Sequence, residues 1–318
     1  MKSCEINYNK KIYESKWPTI KKRIYRDRYL FLLLLPVVLF YVVFKYLPMY
    51  GLTLAFKDFR LGDNLLGGEW VGFKYFLKLF KSTDFIRVIK NTLVLSIYSI
   101  AFGFPVPIIL AILINEVKNI KVKKFIQSSL YIPHFISWVI LGGILISMLS
   151  PSTGIVNKIL QTFFGIKPIF FMANSNWWII SFIASGIWRE AGWGTIIYLA
   201  AMSGIDLQLY EAAEIDGAGR LAQIWHVTFP SLLPTIAIML ILKMGSVMDV
   251  GFEQIYILQN PVVRDVSDVI STYVYRNGIQ EGQFSITTAI GFFQAITNLI
   301  LIVSTNKIVH LLGEDGLW

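Results

Sequence analysis

No charged residue stands between Arg28 and Lys45, between Lys90 and Glu116, between Lys124 and Lys158, between Arg220 and Lys243, or between Glu281 and Lys307. Runs of this kind confine the chain to few architectures. Backbone N–H and C=O groups surrounded by apolar side chains must be satisfied internally, so such runs become helices, and about 20 residues at 1.5 Å rise cross a hydrocarbon core roughly 30 Å thick. The composition agrees: 318 residues are 55% hydrophobic and 15% charged, with a mean hydropathy of +0.59, well above an ordinary soluble domain. The expectation is an all-α polytopic membrane protein of about six transmembrane helices, with a tail over residues 1–28 and one transmembrane domain over 29–318. The protein is expected to cross a membrane several times.

The spans read as 29–47, 91–114 with a kink from Gly103, Pro105 and Pro107, 125–149, 177–203, 230–258 and 285–309. Between the last two, Val266, Val269, Ile270, Tyr273 and Val274 recur at helical spacing and predict an amphipathic helix. Net charge is +9, which raises the question of nucleic acid, but nine of the cations lie within the first 28 residues. A basic flank before an apolar run is a cytoplasmic anchor, and Lys118, Lys121, Lys123 and Lys124 place the next short loop on the same side. Lysines in residues 48–89 dilute that signal on the other side. One cysteine, Cys4, excludes an internal disulfide and a cysteine-based metal site, and His134, His226 and His310 lie far apart in sequence, so no metal is expected.

One polar stretch interrupts the apolar pattern. Tyr210, Ala213 and Gly217 fall on one helix face and Leu221, Ile224, Trp225 and Thr228 on another, so two short helices are expected with a break at Gly217–Gly219. Helices that short need a surface to dock on. Glu211-Ala212-Ala213, Asp216-Gly217-Ala218, and Phe229-Pro230 with Pro234 resemble the EAA loop of permease subunits from binding-protein-dependent ABC importers. Gly251-Phe252-Glu253-Gln254-Ile255, Thr272-Tyr273-Val274-Tyr275-Arg276 and Gly316-Leu317-Trp318 are similar to permeases of carbohydrate importers that handle polysaccharide fragments. Phe229 stands where the family form has Leu, keeping bulk and apolarity.

That resemblance implies the type I importer permease fold, a cytoplasmic ATPase-docking loop at 204–229 that includes Glu211, Ala212, Ala213, Asp216, Gly217 and Pro230, and a translocation path for an oligosaccharide or polysaccharide fragment. It also implies the partners: a second similar permease, a cytoplasmic ATPase dimer that binds ATP and magnesium, and an external solute-binding protein. The chain itself needs no cofactor in that picture.

The residues that carry chemistry are the polar ones inside spans. Arg189 and Glu190 sit near the middle of the fourth, where a charge costs about 2.5–3.5 kcal/mol unless it faces protein or water. Adjacent on a helix, they project about 100° apart, so each is expected to find a separate partner, Arg189 with Asp249 or Glu253. Asp249 and Glu253 are expected on one helical face, near Lys243, and Thr287, Gly291, Gln294 and Asn298 form a small or polar stripe. Trp188, Trp193 and Tyr256 beside Gln254, Gln294 and Asn298 suit a sugar, whose C–H faces stack on rings and whose hydroxyls bond amides. A structural ion pair fits Arg189 equally well, and Trp177-Trp178 reads as an interfacial belt.

Enzyme signatures are missing: G-x-x-x-x-G-K-[ST], G-x-S-x-G and H-E-x-x-H do not occur. Two rival readings remain, an ion-coupled secondary transporter working through Arg189, Asp249 and Glu253, and a membrane enzyme using Asp249 and Glu253 as an acid/base pair.

Overall fold

The computed structural model describes residues 22, 25–60, 62, 67–314 and 316–318; most of the expected tail lies outside the described residues. By contacts the chain forms two units, residues 1–53 and 54–318. The first holds most of α1 (Arg28–Phe56), whose best 18-residue window has a hydropathy of 2.4. Pro36 lies inside it, and it tightens to a 3₁₀ helix over Tyr50–Phe56.

In the second unit, β1 (Lys57–Asp58) and β2 (Glu69–Trp70) make a two-stranded antiparallel ribbon before the amphipathic α2 (Lys74–Lys81). Ser82 caps α3 (Thr83–Gly103), its hydroxyl accepting from Phe85 N at 3.4 Å, and α4 (Pro105–Asn115) continues the same span after a break at Phe104. The kink expected from Gly103 and Pro105 is there, although the helix starts eight residues earlier than the apolar run, at Thr83.

The expected third span is two helices, not one. α5 (Ile120–Tyr131) ends in a 3₁₀ turn at Ile132–Phe135, and α6 (Trp138–Met148) leaves it at 98°. Pro133 ends the first piece. Ser137 starts the second, accepting from Ile140 N at 3.4 Å in an N-cap. Then follow α7 (Ile155–Phe164), α8 (Ser175–Ser203), α9 (Leu207–Ile215) and α10 (Arg220–Met244). α10 joins the second helix of the polar stretch to the fifth span through a π turn at Ile224–Thr228, so that helix is not the short separate one its pattern suggests.

The fifth span also ends sooner than expected. Gly245 stops α10, and a seven-residue break at 245–251 precedes α11 (Phe252–Leu258), so Asp249 lies outside the helix carrying Glu253 and the two share no face. The expected amphipathic helix is likewise split: Val266 sits in a turn at Arg264–Ser267, and α12 (Ile270–Val274) begins after Asp268. α13 (Phe284–Leu311) closes the chain. Four of these helices are long and apolar enough to cross a bilayer, and five if the bent pair counts as one span. α8, 29 residues long with two charges at its middle, brings the spans to about six.

The core has two ends. Near one, Phe85 and Val88 of α3 pack with Ile286, Ala289 and Ile290 of α13, and Asn91 Nδ2 donates to the carbonyls of Asp265 (2.8 Å) and Asp268 (3.0 Å). Near the other, Ile108 and Ala111 of α4 meet Tyr198 and Met202 of α8 and Leu232 of α10. Chain direction in α3–α4 and in α8 is therefore the same, and the polar stretch lies at the second end. Trp178 belongs to the core, not to an interfacial belt: it is fully buried, with its indole N–H donating to Leu258 O at 2.9 Å.

Candidate functional site

Two places carry the polar residues picked out above, and they are built on different terms. The first is the polar stretch. Asp206 caps α9, accepting from Gln208 N at 2.9 Å. At the other end Gly217 takes φ +78°, its N–H bonds Glu214 O at 3.0 Å, and Ala218 N bonds Ala213 O at 2.8 Å. These two bonds make a Schellman motif, and its left-handed residue is the position where glycine avoids the Cβ penalty. Tyr210 and Thr228 hydroxyls, 2.9 Å apart, tie α9 to α10. Glu211, Ala212, Asp216, Gly217 and Pro230 remain exposed and Ala213 half-buried. Apolar side chains are exposed beside them: Ile215 is 86% exposed, Leu221 75% and Trp225 64%.

The second place is a cavity of about 500 Å³ between α3–α4, α8 and the end of α10, with the 245–251 break on its wall. Trp138, Glu190, Trp193, Lys243, Asp249 and Gln254 all line it. The break is held from two sides. Ser96 Oγ donates to Val247 O, while Asn298 Oδ1 accepts from Met248 N at 3.2 Å and Gln294 Nε2 donates to Met248 O at 3.1 Å. The Asp249 carboxylate accepts from the amides of both Gln294 and Asn298. Gln254 is buried, its amide donating to Phe182 O at 2.7 Å and Ser185 Oγ at 3.1 Å.

Arg189 departs from expectation. It pairs with neither Asp249 nor Glu253; its Nη1 bonds the carboxylate of Glu190, its own neighbour. The 100° between their Cβ directions is bridged because the arginine side chain is long enough to fold back. Its Nε donates to Ile136 O at 3.1 Å, and the guanidinium lies 5.0 Å from the centre of the Trp138 ring. Glu190 in turn accepts from His134 Nδ1 at 3.0 Å, and the His134 ring stacks on Trp193, centroids 4.5 Å apart and planes at 5°. All of these contacts fall on the 98° bend between α5 and α6.

Gly192 lets the helices approach that closely. It is buried with the backbone carbonyl of Leu130 where a Cβ would stand. The bend is thus clasped to α8 by hydrogen bonds to Arg189 and Glu190, a stacked ring and a backbone contact.

The remaining expected residues lie elsewhere. Trp188 is exposed and outside the cavity lining; Glu253 is exposed on α11; Tyr256 stacks with Phe252 at 5.3 Å. Gln294 and Asn298 support the wall through Asp249 without lining the cavity themselves. His134 and Trp138 were not legible from residue types. The readable signal was Pro133 followed by Ser137 ahead of an apolar run, the stop and start that put them at a bend. Among the described residues no group of three or more His, Cys, Asp or Glu side chains is placed to hold a metal ion.

Residues 85–313 match the family model described as binding-protein-dependent transport system inner membrane component. The chain belongs to that family. This permease is 45% identical over 296 residues, 93% of its length and 92% of the relative's, to the polygalacturonan/rhamnogalacturonan transport system permease protein YteP of Bacillus subtilis (strain 168). It is 42% identical to Protein LplB of the same organism, with 92% of each chain covered. In structure it is similar to a chain in the crystal structure of a bacterial alginate ABC transporter in complex with alginate pentasaccharide-bound periplasmic protein. There the TM-score is 0.86 and the identity 42%, with 93% of this chain and 99% of that one covered. The permease is therefore an inner-membrane transport component, as its EAA-like residues imply.

Proposed function

We propose that this permease forms part of the path by which an oligosaccharide or polysaccharide fragment crosses the cell membrane. It acts as one of two similar subunits, with ATP hydrolysis supplied by cytoplasmic ATPases docked on residues 204–229 and cargo delivered by an external solute-binding protein. The observation that carries this is the contrast in the loop itself: a fully capped helix whose Glu211, Asp216 and Ile215 face outward. A chain that needed the loop only for its own stability would turn Ile215 inward. The cavity supplies the other half: the exposed Trp193 ring for sugar C–H surfaces, and polar groups at Glu190, Lys243 and Asp249 for hydroxyls. Relatives named for polygalacturonan and a structure solved with alginate support a carbohydrate cargo.

ATPase closure on the loop moves α9 and α10 as a body, and the bundle rocks about the cavity. Reconstituted complexes should take up labelled oligosaccharide only with ATP and the solute-binding protein together. Uptake driven by a proton or sodium gradient without ATPase subunits would instead make the chain a secondary transporter. In a Cys4→Ser background, an external thiol reagent should label cysteines placed at Ser152 and Asn260 and leave one at Ala222 unlabelled.

A further inference from the structure

The bundle end opposite the 204–229 loop carries α7, which lies between the exit of α6 at Met148 and the entry of α8 at Ser175. Both ends of α7 are closed within the chain. Gly165 takes φ +65°, its N–H bonds Gln161 O at 3.1 Å and Ile166 N bonds Leu160 O at 3.3 Å, so the last turn is satisfied. Near the start, the buried Asn157 amide donates to Ser150 O at 3.1 Å and to Ile169 O at 3.0 Å, and accepts from Ile169 N at 2.8 Å. That side chain ties α7 to the residues that leave α6, and so to the depth at which the span leaves the hydrocarbon. Val156 and Leu160 turn inward beside it, half-buried. Ile155, Ile159 and Phe163, at i, i+4 and i+8, form a separate face: all three are exposed, Phe163 at 76%. Lys158, Gln161 and Thr162 occupy the remaining arc and are exposed as well.

We infer that the face of Ile155, Ile159 and Phe163 is seated in the lipid leaflet at this end of the bundle, with α7 lying at the boundary between headgroups and acyl chains. Depth is the first reason, because the Asn157 bonds hold the first turn of α7 beside the end of a membrane helix. Continuity is the second. On α6, Ile140, Ile144 and Met148 are exposed at the same spacing, so the apolar stripe of the span runs on to that of α7 across the turn. Chemistry is the third: these three positions of α7 bear hydrocarbon only, which suits acyl chains and gives a protein partner no hydrogen bond to fix its orientation. Lys158, on the polar arc, has a stem long enough to bring its ammonium to a headgroup phosphate. Seated so, α7 anchors the end of α6, which carries one half of the bend. The inference needs only the spans described above; the proposed orientation decides which leaflet it is, and makes it the outer one.

The test uses the full complex in phosphatidylcholine nanodiscs, with Ile159→Cys, Phe163→Cys or Gln161→Cys in a Cys4→Ser background, each labelled with an environment-sensitive fluorophore. The Cys4→Ser complex without an added cysteine is the blank for label on other subunits. Labels at 159 and 163 should emit further to the blue than the label at 161. They should also be quenched by phosphatidylcholine brominated near the headgroup, and less by lipid brominated at the chain terminus, because such a helix lies about 5–10 Å into the boundary region. The label at 161 should show neither effect. All three positions are exposed, so the melting temperature should match that of the blank; where one label lowers it, the other apolar position decides. No quenching at 159 and 163, or equal quenching at 161, overturns the inference. So does a blue shift without quenching, which gives the face to a protein subunit, and so does quenching that disappears when liganded solute-binding protein is added, which gives it to that protein.

Discussion

The bend between α5 and α6 and the loop around Gly217 are both polar interruptions in an apolar chain, and the molecule treats them in opposite ways. At the bend every strong group is answered from within: Arg189 by Glu190 and Ile136 O, Glu190 by His134, His134 by the Trp193 face. On the loop the backbone is answered by Asp206 and the turn at Gly217, but Glu211 and Asp216 face outward with Ile215 and Leu221 beside them. Internal satisfaction marks a place whose geometry the chain fixes alone. An outward-facing mixture of charge and apolar surface is what the proposed docking of an ATPase on the loop would cover.

The sharpest way to break this comparison is at Gly192. Gly192→Val drives a branched side chain into the Leu130 carbonyl, which cannot yield without moving α5. Overpacking costs about 1–3 kcal/mol, and a backbone obstacle puts this case at the upper end. Assembly into the complex should fall steeply; a variant that assembles with an unchanged melting temperature would show that the bend is not clasped.

A smaller loss is expected at Arg189→Ala, which strands Ile136 O and leaves Glu190 with His134 alone. Hydrogen bonds to charged groups contribute about 1.5–3 kcal/mol, and the half-exposed Glu190 brings the loss to the lower part of that range. Adding Glu190→Gln should restore part of the stability. If the double variant is stable and assembled yet transports poorly, the pair also serves transport; full recovery of uptake leaves it a structural clasp.

Much of this was legible in the sequence and some was not, for physical reasons. The loop is readable because its signals are local: Glu211-Ala212-Ala213 on a short helix, Gly217 at its break, and Pro230 at the entry to an apolar run. The span ends drifted because hydropathy marks where apolar side chains begin, whereas helices begin at caps such as Ser82. The fifth span was overextended because Gly245 and Gly251 are weak punctuation inside a lipid-compatible run, and that error placed Asp249 on a helix it does not join. Arg189 was paired wrongly because Cβ directions on a helix say little about where a long guanidinium can fold.

A subtler effect is expected at the outer ribbon, away from both regions. The Asp58 carboxylate is held below its ordinary range first by the Tyr75 hydroxyl, and burial pushes Tyr75 up to about 12, aided by that same bond. A depressed carboxylate contributes stability that is present above its unfolded value of about 3.9 and lost as pH falls through the lower folded value. A raised tyrosine contributes below its unfolded value of about 10 and loses that contribution as pH rises toward 12. Tyr75→Phe should therefore flatten the melting temperature on both flanks, acid and alkaline, with a small change at pH 7. An unaltered pH profile would show that the ribbon is held by its aromatic contacts, Phe56 on Trp70 and Phe73, instead.

The central claim is that residues 204–229 are left open for an ATPase while the bend and cavity wall stand on their own. ATP hydrolysis by the purified complex, stimulated by liganded solute-binding protein and measured beside the melting temperature of the same sample, tests it most directly. Glu211→Lys should leave the melting temperature unchanged, because Glu211 is exposed, and should abolish the stimulation. Normal stimulation in Glu211→Lys, or a loss that merely tracks a lowered melting temperature, would contradict the account.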